Sequence, residues 1–375
     1  MRKKTLHNLI GICILLNNGW LISGCSSDGD DSGIIVVDAF VSVDSARPEA
    51  TAVADASASE DTTRPLQTLD SAQTLDSGQI MESGQNETIS DVAEAQLIEP
   101  IERSGKLVLE FENVLFECDP SIAGRITAFS LKGNNILTGP EIHAENFGST
   151  FWTSPQSDWN WPPPAEIDSE PYTAELMGST IQLSGSANPS LGMRITKRYT
   201  PELRKRAIAI EYVIENTKTE AIRIAPWEVS RVLPGGLSFF VKGTSDFGSR
   251  EFAPLDLVEA AGVTWFEHRP DSIQSDQKLF ADGKDGWIAH VAGDMIFIKK
   301  FDDIAAEQRA PDEAEIEIYA CPSYVEIEQQ GAYQEIAAGQ SLSWKVIWYL
   351  RQLPQGLIPS LGNEQLISLV QETIR

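Results

Sequence analysis

From Lys106 onward, short apolar or two-residue-periodic runs alternate with Gly, Pro, Asn and Asp breaks. The runs are Lys106–Phe116, Arg125–Leu131, Thr180–Ser184, Leu191–Tyr199, Arg206–Ile214, Leu237–Lys242, Trp287–Val291, Met295–Phe301, Ala314–Tyr319, Tyr324–Gln329 and Leu342–Leu350. They are short and rich in the β-branched and aromatic residues that fill pleated surfaces, so each predicts a strand. The last has strict period two: Trp344, Val346, Trp348 and Leu350 point one way, and Lys345, Ile347, Tyr349 and Arg351 the other. Only Asn363–Ile374 has helical spacing, with Leu366, Leu369, Val370 and Ile374 in one stripe. The pattern predicts an all-β fold, one large β-sandwich over residues 105–375 with a small C-terminal helix.

The preceding segment has another texture. Residues 26–100 hold 16 acidic and 2 basic side chains, are rich in Ser, Asp, Ala, Thr and Gln, and contain one aromatic, Phe40. Such a composition cannot bury enough apolar surface to offset chain entropy, so residues 25–104 are expected to form a disordered acidic tether. A hexapeptide recurs within it, beginning at Gln67, Gln73 and Gln79, but three copies without a hydrophobic ladder are too few for a β-helix. The tether accounts for much of the chain's net charge of −26, a balance that argues against nucleic acid and against anionic headgroups as partners.

At the start, Arg2, Lys3 and Lys4 precede an apolar stretch from Leu9 to Leu16, which Asn17, Asn18 and Gly19 end well short of the ~20 residues a membrane span needs. Leu21-Ile22-Ser23-Gly24-Cys25 then reads as a bacterial lipobox. Residues 1–24 are expected to be a lipoprotein signal peptide, with Cys25 lipidated as the membrane anchor. Ser26 after the cysteine points to the outer membrane of the bacterial envelope. With Cys13 in the leader, Cys118 and Cys321 remain in an oxidising compartment, either as a disulfide or as two separate buried thiols.

Within the domain, Trp152, Trp159 and Trp161 cluster with Gln156 in a Pro-rich segment. Flat indoles stack on the C–H faces of pyranoses while amides bind hydroxyls, although large rings also dominate ordinary cores. No phosphate-binding, dinucleotide or Gly-x-Ser-x-Gly signature occurs, so no cofactor is expected. No cluster has metal-ligand spacing, and Asp282-Gly283-Lys284-Asp285-Gly286 lacks the Glu that closes a calcium loop.

Leu115–Leu131, with Gly124-Arg125 at its turn, resembles the opening of galactose mutarotase-like domains. Phe147–Gln156 followed by Trp159-Asn160-Trp161-Pro162-Pro163 is similar to the segment bordering the sugar cleft in hexose-phosphate mutarotases. Tyr324-Val325-Glu326-Ile327-Glu328, followed by Ile336 and Gly339–Trp344, resembles the family's closing pattern, a strand bearing the catalytic Glu before a turn and a final strand. The order of these motifs is most similar to a bacterial branch of the aldose epimerase superfamily whose function is unknown. The resemblance implies a galactose mutarotase-like β-supersandwich and a carbohydrate ligand.

Mutarotation needs a base at the anomeric hydroxyl and an acid at the ring oxygen. The resemblance assigns the base to Glu326, with Glu328 on the same strand face as the fallback. The family's acid is a His after a central strand, and the corresponding stretch, Ala221–Val232, contains none. The chain is therefore expected to bind carbohydrate without standard aldose epimerase activity. The alternative is an epimerase or glycoside-processing enzyme in which Glu228 pairs with Glu326. The expected binding residues are Trp152, Gln156, Trp159, Trp161, Arg231 and His290, with Arg231 orienting Glu228.

Two outcomes follow. Limited proteolysis should trim the protein to a resistant core of about 30 kDa, and two separable cores would contradict the single sandwich. Cys25→Ala should abolish partitioning into a detergent phase, and unchanged partitioning would contradict the anchor.

Overall fold

The computed structural model describes residues 97–375. The signal peptide at 1–24, the lipidation site Cys25 and nearly all of the 25–104 tether lie outside the described residues.

Eight strands position the site: β1 (Ser149–Ser154), β2 (Ala207–Asn216), β3 (Ile222–Val232), β4 (Gln277–Ala292), β5 (Met295–Phe301), β6 (Ile316–Ala320), β7 (Val325–Gln330) and β8 (Ser341–Gln352). Two short helices complete the frame, α1 (Ala165–Asp168) and α2 (Glu364–Ile374). All the pairings are antiparallel. One layer runs β2–β8–β5 and on to the second half of β4, where Trp287–Ala292 pair with β5. The other runs β1–β3–β7–β6 and ends on the first half of β4, where Gln277–Ala281 pair with β6. The long strand β4 thus belongs to both layers.

Strict alternation decides what each layer buries. In β8, Trp344, Val346, Trp348 and Leu350 enter the core between the layers. Tyr349 on the opposite face is also buried, because α2 lays Leu366 and Val370 over it together with Trp265 and Trp287. The predicted helix stripe thus covers the outer face of this layer, and Asn363 caps the helix by accepting from the Gln365 and Leu366 N–H groups.

Lys106–Phe116 forms a hairpin, Lys106–Phe111 and Val114–Asp119, because Glu112 and Asn113 both adopt positive φ. β1 and β3 were not predicted, since both are buried on both faces and mix Ser, Thr, Glu and Arg with aromatic residues. Entry to β1 requires Gly148, at φ 63°, where a Cβ would lie 2.3 Å from the Ile126 carbonyl oxygen.

Cys118 and Cys321 do not bridge. Cys118 sits in the main core, whereas Cys321 packs with Tyr319 and Tyr324 in a separate small cluster. Burial pushes the Cys118 thiol well above its ordinary range, the environment of an inert apolar side chain.

Glu228 lies in the interlayer core and is fully buried. It accepts from the Tyr212 hydroxyl (2.6 Å), Gln329 Nε2 (2.7 Å) and Trp348 Nε1 (3.0 Å), and pairs with Lys299 Nζ at 2.9 Å. Lys299 also donates to the Ile327 carbonyl at 2.9 Å. Every strong partner of this carboxylate is internal, so its role is structural. Glu228→Gln is expected to lower unfolding free energy by about 3–5 kcal/mol, because it strands a buried ammonium. Pairing it with Lys299→Met should recover part of that loss. Urea unfolding of the two single variants and the double variant checks this, and additive losses would contradict the pairing.

Candidate functional site

The outer face of the β1–β3–β7–β6 layer is the floor of a cleft. Register places its side chains in rows across the strands. Trp152 stands opposite Trp227. Val229, Glu328, Glu317 and Phe280 are successive partners in a second row, and Arg231, Glu326, Tyr319 and Lys278 in a third. Loops add Gln156 and Trp161 on one side, and Asn146, Phe252, Asp276, Glu313 and Tyr324 around the rest. The space between these residues is about 770 Å³, open solvent at its mouth included.

The aromatic wall is braced from behind. Trp152 Nε1 donates to Asp168 Oδ1 (2.8 Å) at the end of α1, and Arg125 Nη2 holds the same carboxylate at 3.1 Å. Trp227 meets Trp152 edge to face at 5.3 Å between ring centroids and donates Nε1 to Glu328 Oε2 at 2.9 Å. Trp161 meets Trp152 edge to face at 5.9 Å. Backing of this kind fixes indole orientation, which a stacking surface requires.

The floor carries paired charges. Arg231 Nε donates to Glu326 Oε1 at 2.7 Å, and Nη1 to Thr150 Oγ1 at 3.2 Å. Lys278 Nζ lies 2.7 Å from Glu317 Oε2 and 3.2 Å from Glu328 Oε1, with Trp227 and Phe280 rings on either side. Burial opposes the Lys278 charge, but the two carboxylates outweigh it and hold its pKa above the usual lysine range. Burial pushes Glu317 and Glu328 above the usual carboxylate range against the pull of Lys278. Burial also raises Glu313 and Asp276.

The structure brings Trp152, Gln156, Trp161 and Glu326 together at the cleft, with Glu328 beside them. Trp152 is a strand residue, and only Trp159 and Trp161 belong to the loop. Trp159 stands behind the wall, donating Nε1 to the Thr153 carbonyl and packing on Trp152 and Trp227. Arg231 is buried beneath Glu326 and over the Trp152 ring. It cannot orient Glu228, because residues three apart on a strand face opposite ways. The expected Glu228–Glu326 pair is therefore not formed.

His290 is also excluded from the cleft. It is wholly buried on the other half of β4, with Nδ1 2.9 Å from the Ser238 hydroxyl, and burial pushes its pKa down to about 3. Sequence reasoning passed over Trp227, Lys278, Asp276, Glu313, Glu317, Tyr319 and Tyr324. The available signal was charge at alternate positions of apolar strands, as in Glu313, Glu315 and Glu317, or Lys278 two residues before Phe280.

A search of curated proteins found no match. Among solved structures, a galactose mutarotase-like protein from Lactobacillus casei is similar at 9% identity and TM-score 0.48, over 66% of this chain and 100% of that one. A galactose mutarotase related enzyme from Lactobacillus acidophilus is similar at 8% identity and TM-score 0.48, over 68% and 100%. A TPR-domain containing protein from Parabacteroides distasonis is similar at 14% identity and TM-score 0.47, over 69% of this chain, which spans about half (49%) of that protein. The model of a protein family described as a domain of unknown function, DUF4380, matches residues 105–351, and the chain belongs to that family.

Proposed function

We propose that the domain binds a carbohydrate in this cleft, and that a lipid on Cys25 holds it at the bacterial outer membrane. The observation carrying the reading is the braced wall of Trp152, Trp161 and Trp227 beside Glu326 and Glu328 on one floor. A pyranose offers an apolar face for the indoles and hydroxyls for the carboxylates, Gln156 and Asn146. The likeness of Tyr324–Glu328 to the strand bearing the mutarotase Glu supports the same orientation of ligand.

A second reading, sugar chemistry by a carboxylate pair, is favoured by one observation. Burial raises the Glu328 carboxyl while its strand neighbour Glu326 is ion-paired with Arg231. A carboxyl raised by burial beside an ion-paired carboxylate suits an acid and a base. Glu326 would take the anomeric hydroxyl proton while Glu328 protonates the ring oxygen, breaking the bond from C1 to that oxygen. Reclosure on either face returns both protons.

A glycan array followed by saturation-transfer NMR tests both readings. Trp161→Ala is expected to weaken binding of the best glycan at least about tenfold, and Glu326→Gln should weaken it as well. Binding untouched by the two substitutions together would overturn the site, and no glycan binding at all would overturn the reading. Anomer exchange above background in the same spectra, lost in Glu326→Gln and in Glu328→Gln, would establish the second reading.

A further inference from the structure

The charged donors of the cleft are committed to the protein itself. Lys278 is held by Glu317 and Glu328, and Trp227 Nε1 by Glu328. Arg231 spends Nε and Nη1 on Glu326 and Thr150, and its one unmatched nitrogen, Nη2, is buried beneath Glu326. Arg250, exposed above Phe280, is the remaining cation beside the cleft.

Its acceptors are in surplus. The buried Oδ2 of Asp276 has no hydrogen-bond donor, and the completely buried Glu328 has the shared Lys278 ammonium and the Trp227 N–H as its donors. Glu251, Glu313 and Glu326 add three more carboxylates to the wall. An anionic substituent would meet these carboxylates, with Arg250 standing outside the lining. A neutral hydroxyl brings one donor, whereas an ammonium brings three donors and a positive charge. The indole face of Trp161 attracts the same group. Among the described residues, no group of three or more His, Cys, Asp or Glu is disposed to hold a metal ion, so the acceptors do not converge as a metal site would.

We infer that the cleft selects sugars bearing a protonated amine, hexosamine units, over neutral, phosphorylated or carboxylated sugars. The inference rests on the carbohydrate reading and names its ligand class. Burial raises the Asp276 and Glu328 carboxyls and an arriving ammonium would pull them back down, so binding should release protons to the buffer.

Calorimetry on the full protein with matched oligosaccharides tests it. The probes are the glucosamine tetrasaccharide, its fully N-acetylated counterpart, cellotetraose and tetragalacturonic acid, with glucosamine against glucose 6-phosphate as the monosaccharide pair. The glucosamine tetrasaccharide should bind at least about fivefold more tightly than each of the others, with proton release seen as a buffer-dependent heat. Asp276→Asn, at the cleft edge, should bring the affinity ratio of the glucosamine to the N-acetylated tetrasaccharide to within about twofold of one. Glu328→Gln should do the same if it folds. A smaller advantage, tighter binding of an acetylated or anionic sugar, or an advantage that survives Asp276→Asn would overturn the inference and leave the carbohydrate reading standing. Binding of none of these sugars, nor of any glycan on the array, would remove both.

Discussion

The strand Ile222–Val232 is buried on both faces, and that constraint organises the rest of the molecule. A buried charge survives only with a partner, so each polar residue of this strand must find one on its own side. On the interlayer face, Glu228 meets Lys299, Tyr212, Gln329 and Trp348. On the outer face, Arg231 meets Glu326 directly across the ladder to Val325–Gln330. A one-residue slip would exchange the two sets and part Glu228 from Lys299 and Arg231 from Glu326. Register and charge pairing therefore enforce each other, and the cleft floor is fixed by the same pairing that closes the core.

That floor leads directly to chemistry. The neighbouring strands carry the alternation outward, so Trp152, Trp227, Glu328, Glu317, Tyr319 and Lys278 emerge on one face without any loop having to place them. Sites built on strands hold geometry more tightly than sites on loops. The loops contribute the parts that shape a mouth, Trp161 and Gln156 on one side and Asp276 and Tyr324 on the other. Stacking surface and hydrogen-bonding carboxylates then line one cleft, an arrangement suited to a flat, hydroxylated ligand.

Much of this was legible in the sequence, for definable reasons. Strands with one better-covered face announce themselves by alternation, and the runs Leu191–Tyr199 and Arg206–Ile214 fall on the strands Met193–Glu202 and Ala207–Asn216. The all-β class and the C-terminal helix followed from the same periodicities. The two strands that matter most to the site were hidden. Ser149–Ser154 and Ile222–Val232 are buried on both sides and carry polar residues throughout, so neither alternation nor an apolar run marks them. With the strand unseen, the opposed directions of Glu228 and Arg231 could not be read, and a core carboxylate was assigned to catalysis. Glu326, Trp152, Gln156 and Trp161 were found because the motifs carrying them are compact. Lys278 and Asp276 lie far from those motifs, and only folding brings them near.

The central claim is that ligand contact is confined to the outer face of the Ser149–Ser154, Ile222–Val232, Val325–Gln330 layer. The eight described tryptophans report on it, since they occupy either this face, the interlayer core or the opposite face beneath the C-terminal helix. The most direct measurement is a titration of the indole N–H resonances with the tightest-binding oligosaccharide. The account predicts that Trp152, Trp161 and Trp227 shift together while Trp265, Trp287 and Trp348 stay in place. Shifts at Trp265 or Trp287 with Trp161 and Trp227 unmoved would contradict it.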